Sequence, residues 1–123
     1  MARVLIIEDD SGMRNMLETT LRAAGHQVQS AREGKEGITE HTTRPAELII
    51  MDIFMPGMGG LETISTLRRD DKQVKILAIT GLPDLGNPLG TALRLGANRT
   101  LEKPFQPHEL LAAVQETLMS KDR

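Results

Sequence analysis

Cysteine, tryptophan and tyrosine do not occur in this sequence, and beyond histidine only Phe54 and Phe105 supply aromatic rings. Without cysteine the chain forms no disulfide, runs no thiol chemistry and builds no cysteine-ligated zinc site. Two phenylalanines are too few for platforms that stack bases or for walls that sandwich a flavin. No run reaches the roughly 18 apolar residues of a membrane-spanning helix. The opening "MARVLIIEDD" is briefly apolar before three acids and does not read as a signal peptide, so a cytoplasmic location is expected. Neither charge sign dominates. Fifteen Lys and Arg face 17 Asp and Glu, for a net charge of -2. Direct nucleic-acid binding through the general surface is therefore not expected, nor is a membrane partner.

What is present is an ordinary globular composition: 123 residues, 39% hydrophobic and 26% charged. That length suits one domain over residues 1–123. Three continuous apolar runs stand out, "RVLIIE" (3–8), "ELIIMD" (47–52) and "VKILAIT" (74–80). Such runs suit strands buried on both faces of a parallel sheet. "HQVQSA" (26–31) and "RTLE" (99–102) are weaker strands, expected near the sheet edges. Helical spacing fills the gaps. Met13, Leu17, Leu21 and Ala24 share one face, and Gly25 then stops the helix. Residues 33–43 form a weak helix ending before Pro45. Leu61, Ile64 and Leu67 mark a third helix, and Leu89, Leu93 and Ala97 a poor fourth. Pro107, at a first-turn position, begins a fifth through Leu110, Leu111, Val114 and Leu118. Strand and helix alternating five times imply a doubly wound α/β sheet with helices on both faces.

Ligand sites in such sheets lie outside the carboxyl ends of the strands. There the sequence places Glu8, Asp9 and Asp10 after the first strand and Asp52 at the end of the third. Thr80 ends the fourth strand, and Lys103 follows the fifth. Taken singly, each has an ordinary explanation: an acid run is usually a solvated loop or a helix cap. Their joint placement at four strand ends argues for a site. Converging carboxylates repel unless one protonates or a cation sits between them. With oxygen ligands only, Mg²⁺ is the natural cation. A hydroxyl (Thr80) and an ammonium (Lys103) are suitable donors to a phosphoryl group. The parts together suit phosphoryl transfer to an aspartate. His26, His41 and His108 are scattered and read as structural or surface residues. Met51, Met55 and Met58 read as core and loop filling rather than a metal site.

"VLIIEDD", "LIIMDIFMPGMGGLE", "ILAITG" and "LEKPF", in that order and spacing, resemble the receiver domains of bacterial two-component response regulators. The resemblance covers essentially the whole chain. It implies a flavodoxin-like, five-stranded parallel sheet of order 2-1-3-4-5 with five helices. It implies that Asp52 is the phosphorylated nucleophile. Asp9 would bind Mg²⁺ directly together with Asp52, Glu8 through water, and Phe54 through its backbone carbonyl. Thr80 and Lys103 would hold phosphoryl oxygens, Asp10 would be peripheral, and the Lys103–Pro104 bond would be cis. A sensor histidine kinase or a phosphotransfer protein would be the donor. The output would pass through the face formed by the fourth helix, fifth strand and fifth helix, to a downstream protein or a C-terminal output domain. Such a domain catalyses only its own phosphorylation and dephosphorylation.

The chain departs from that pattern in several places. Gly59 stands where Asp or Asn is common. Thr100 replaces the usual strand-five aromatic, which bears on how the switch is read out. Phe54 and Leu82 are apolar at two rim positions that are often polar. "GLPDLGNPLG" (81–90) is dense in Gly and Pro, so a regular fourth helix is expected only from about Pro88, and the segment is expected to be mobile. Three alternatives stand beside this reading. A Mg-dependent phosphatase-type enzyme with an Asp nucleophile would want a second Asp at position 54, where Phe stands. A phosphate-independent degenerate receiver would have lost its acid, Thr or Lys, and all are present. A flavodoxin-like flavin carrier would need a Ser/Thr-rich phosphate loop and aromatic walls.

Overall fold

The computed structural model describes residues 2–54, 59–81 and 88–120. Along the chain run β1 (Arg3–Ile7), α1 (Ser11–Ala23), β2 (Gln27–Ala31), α2 (Gly34–Thr43) and β3 (Leu48–Asp52). They continue with α3 (Gly60–Asp70), β4 (Lys75–Thr80), α4 (Pro88–Leu95), β5 (Arg99–Glu102) and α5 (Pro107–Met119). The strands form one parallel sheet in the order β2-β1-β3-β4-β5. No helix among the described residues is long and apolar enough to cross a membrane.

The strand alternation splits the core in two. Leu5, Ile7, Ile49, Met51, Ile76 and Ala78 face α2, α3 and α4, where they meet Ile64, Leu67 and Ala92. Val4, Ile6, Leu48, Ile50, Leu77 and Ile79 face α1 and α5, against Leu17, Leu21, Leu110 and Val114. This explains the unbroken apolar runs: with helices on both sides, neither face of a central strand meets water. All five residues of β3 are buried. Each fully buried Leu or Ile contributes about 1.5–3 kcal/mol. The edge strands β2 and β5 are only partly covered, as their weaker apolar content implies.

Local chemistry sets the helix ends. The Asp10 side chain accepts a 2.7 Å bond from the Met13 N–H and caps α1. Gly25, at φ 95°, turns the chain into β2. The Glu109 carboxylate accepts the Gln106 N–H at 2.7 Å and closes the start of α5. As expected, α4 begins at Pro88, but it departs from the expected stripe. Ala97 lies beyond its end, past Gly96 at φ 134°, and Leu93 is 40% exposed, while Ala92 takes the buried place. Among the described side chains of this short helix, Ala92 is the one buried against the sheet. The expectation of mobility for 81–90 falls largely on residues 82–87, which lie outside the described residues, as do Met55 and Met58.

Candidate functional site

Parallel register brings the strand ends to one rim. Ile7 lies beside Met51, Asp52 beside Ile79, and Thr80 beside Glu102. The residues just past these pairs are therefore neighbours, however far apart in sequence. Glu8, Asp9 and Asp52 each place a carboxylate oxygen within 4.8 Å of the others. Glu8 and Asp52 are buried, at 1% and 6% exposure, while Asp9 faces solvent. Burial, and then the nearby Asp52 charge, push the Glu8 carboxyl up to about 7.

The Lys103 ammonium sits across the pair. Its Nζ lies 2.8 Å from Asp52 Oδ2 and 3.4 Å from Glu8 Oε1. Desolvation disfavours its charge, but the hydrogen bond to Asp52 and the charges of Asp52 and Glu8 outweigh this and raise its pKa. The other Asp52 oxygen, Oδ1, accepts the Phe54 N–H at 3.0 Å. Backbone contacts aim the lysine. Its N–H donates to the Thr80 carbonyl at 2.8 Å, and its stem lies where a side chain on Gly81 would come within 3.3 Å. The Lys103–Pro104 bond is cis, as the resemblance implies. Thr80 is fully buried at the end of β4.

One ammonium against a cluster of three carboxylates leaves negative charge over. The donors are all oxygens. That set fits a hard divalent cation and offers nothing to a soft one. Asp10 stands apart from the cluster, spent on capping α1. The histidines also stand apart. His26 Nδ1 accepts the Ala2 N–H, His41 is buried near the end of α2 with Asp71 and Ala46 as its partners, and His108 is exposed. Met51 belongs to the core. Thr100 is half-buried opposite Ala78, and the Phe54 side chain is 36% exposed next to the site. Leu82 lies outside the described residues.

Two participants were not evident from the sequence. Arg14, on α1, donates from Nη1 to the carbonyls of Glu8 and Asp9, at 3.0 and 3.3 Å. Gly60 packs so closely that an added Cβ would lie 2.4 Å from the Ile53 Cα and carbonyl oxygen, beside Asp52. An arginine in a first turn looks like any solvated charge, and the Gly59–Gly60 pair reads as a turn. Neither position carries a sequence signal of its contact.

Fold and site together define a phospho-acceptor switch of the flavodoxin-like class. The model of the response regulator receiver domain matches residues 4–115, and the chain belongs to that family. It is 33% identical over 121 residues to the "probable transcriptional regulator ycf27" of Porphyridium aerugineum, covering 98% of this chain and 50% of that protein. Among solved structures it is similar to the chemotaxis protein CheY4 of Vibrio cholerae. The TM-score there is 0.87 at 32% identity, over 95% of this chain and 98% of that one. It also resembles a CheY-like receiver domain protein of Methanospirillum hungatei, with a TM-score of 0.90 at 27% identity over 96% and 94% of the two chains. The chain spans about half the length of the curated relatives it matches. The family is one of signalling switches rather than conventional enzymes.

Proposed function

We propose that residues 1–123 are one cytoplasmic receiver domain whose Asp52 accepts a phosphoryl group from a sensor histidine kinase or a phosphotransfer protein. The observation that carries this reading is Lys103 Nζ, 2.8 Å from Asp52 Oδ2, beside the three-carboxylate cluster. Asp9, Asp52 and the Phe54 carbonyl would hold Mg²⁺, with Glu8 assisting through water. When bound, the ion neutralises charge so that an anionic phosphoryl group can approach an anionic nucleophile. An Asp52 oxygen attacks phosphorus, the bond to the donor nitrogen breaks, and the departing imidazole takes up a proton. Lys103 and Thr80 then hold the phosphoryl oxygens. Lys103 must exchange its bond with Asp52 for one with the new group. That exchange couples the chemistry to β5, and through it to the α4–β5–α5 face.

The output passes to a separate downstream protein or to a C-terminal domain of a longer regulator. The similarity to proteins named as transcriptional regulators, each about twice as long, favours the second. The test is intact-mass measurement after incubation with acetyl phosphate and Mg²⁺. One phosphate is expected on the parent and none on Asp52→Asn or after chelation. Equal labelling of Asp52→Asn would overturn the assignment.

A further inference from the structure

We infer that Arg14 is a positioning residue for the carboxylates of Glu8 and Asp9, a role that rests on the metal-binding reading above. The turn after β1 has to aim two like-charged side chains toward a third, Asp52. Like charges would drive such a turn open, so something must hold its backbone. Most of its bonds are local. The Glu8 N–H donates to the Ala31 carbonyl at 3.0 Å, the Asp10 N–H to the Glu8 carboxylate at 3.2 Å, and the Arg14 N–H to the Asp10 carbonyl at 2.9 Å. The two remaining carbonyls, of Glu8 and Asp9, both accept from Arg14 Nη1, at 3.0 and 3.3 Å. One planar, permanently charged group thus bridges the carbonyls of two successive residues of the turn. Charge-assisted bonds of this kind are about twice as strong as neutral ones. The arginine is fixed in turn by its place in α1, whose start Asp10 caps. Asp9 has the least packed side chain of the cluster, being exposed, so the bond from Arg14 to its carbonyl is a restraint that packing does not duplicate. Arg14 therefore governs chiefly where the Asp9 carboxylate points.

Charge and position make opposite predictions. If Arg14 acted only through its positive charge, removing it would strengthen binding of a cation nearby. If it positions the turn, removing it weakens binding, because outer partners of metal ligands are typically worth 10–100-fold in affinity. Calorimetric titration of the metal-free protein with Mg²⁺ alone, at fixed ionic strength, separates the two. Arg14→Met keeps the stem and loses the donors. It should bind Mg²⁺ about tenfold more weakly than the parent. Arg14→Lys keeps the charge but loses the planar fork, and should fall between them. Circular dichroism establishes that each variant is folded at the titration temperature. Equal or tighter binding by folded Arg14→Met overturns the inference. Should that variant not fold, Arg14→Lys decides, and an affinity equal to the parent's overturns it. A parent that binds no Mg²⁺ would instead remove the metal-site reading itself, so the two failures are distinguishable.

Discussion

His41 Nε2 donates to Asp71 Oδ2 at 2.9 Å, joining the end of α2 to the turn after α3. The direction follows from the other ring nitrogen. Nδ1 faces the Ala46 N–H at 3.0 Å and can only accept from it, so the ring proton sits on Nε2. The second Asp71 oxygen accepts the N–H groups of Gln73 and Val74 at 2.9 and 3.1 Å. This junction lies at the amino ends of β3 and β4, across the sheet from the phosphoryl rim. It stabilises the scaffold and takes no part in the chemistry.

Burial alone would raise the Asp71 pKa, but the bonds from His41, Gln73 and Val74 outweigh burial and hold it below 3.8. A carboxyl depressed in the folded state stabilises the protein above its unfolded pKa, and loses that contribution as pH falls through its folded pKa. Arg68, which donates to the Asp71 carbonyl, and Glu47 and Lys75, which line the same cleft, set the surrounding charge. Asp71→Asn should cost about 1–2 kcal/mol at neutral pH. The gap between parent and variant should narrow below about pH 4. Urea unfolding across that range checks this, and a gap independent of pH counts against it.

Lys103 should act on the metal and on the phosphoryl group with opposite signs. Its ammonium occupies the space between Asp52 and Glu8, so it repels a second cation there. Lys103→Met should therefore bind Mg²⁺ at least as tightly as the parent. Loading from acetyl phosphate should slow by about 10²–10³-fold, the usual loss for one oxyanion donor. Calorimetry and time-resolved intact-mass measurement read the two effects separately. Weaker Mg²⁺ binding together with normal loading would contradict both expectations.

The phosphorylated state should be long-lived because Phe54 is apolar at the rim. Hydrolysis needs a water aligned with the phosphoryl group. Phe54 lies two residues from Asp52 and cannot hold one with its side chain. Phe54→Asn should shorten the lifetime by about tenfold or more, the worth of one orienting contact. Phosphate release from loaded protein in Mg²⁺ measures it. An unchanged rate would mean that the backbone or Glu8 orients the water.

The start of α3 supplies a paired prediction about stability. Gly60 has no room, since a Cβ there would meet the Ile53 backbone at 2.4 Å. Gly60→Ala should cost about 1–3 kcal/mol from overpacking. Gly59, one residue earlier, is the N-cap, with extended backbone, no capping side chain and open space around it. Gly59→Ser should be neutral to stabilising by up to about 1 kcal/mol. Thermal unfolding of both variants tests the contrast, and a Gly60→Ala protein as stable as the parent would refute it.

Local chemistry decided much of this protein before any packing was known. Val4–Ile7, Leu48–Met51 and Ile76–Ile79 are unbroken apolar runs because both sheet faces are covered, so burial is written directly into composition. The strand-end acids, Thr80 and Lys103 were legible because a parallel sheet sends every strand's carboxyl end to one rim. What packing alone decided were relations between elements. His41 meets Asp71 across thirty positions, and Gly60 abuts Ile53. Arg14 turns back onto Glu8 and Asp9, while α4 spends Ala92 rather than Leu93 on the core. Periodicity records which face of an element avoids water. It does not record the distance and angle at which two elements meet, and those determine whether a side chain finds a carboxylate, a carbonyl or solvent.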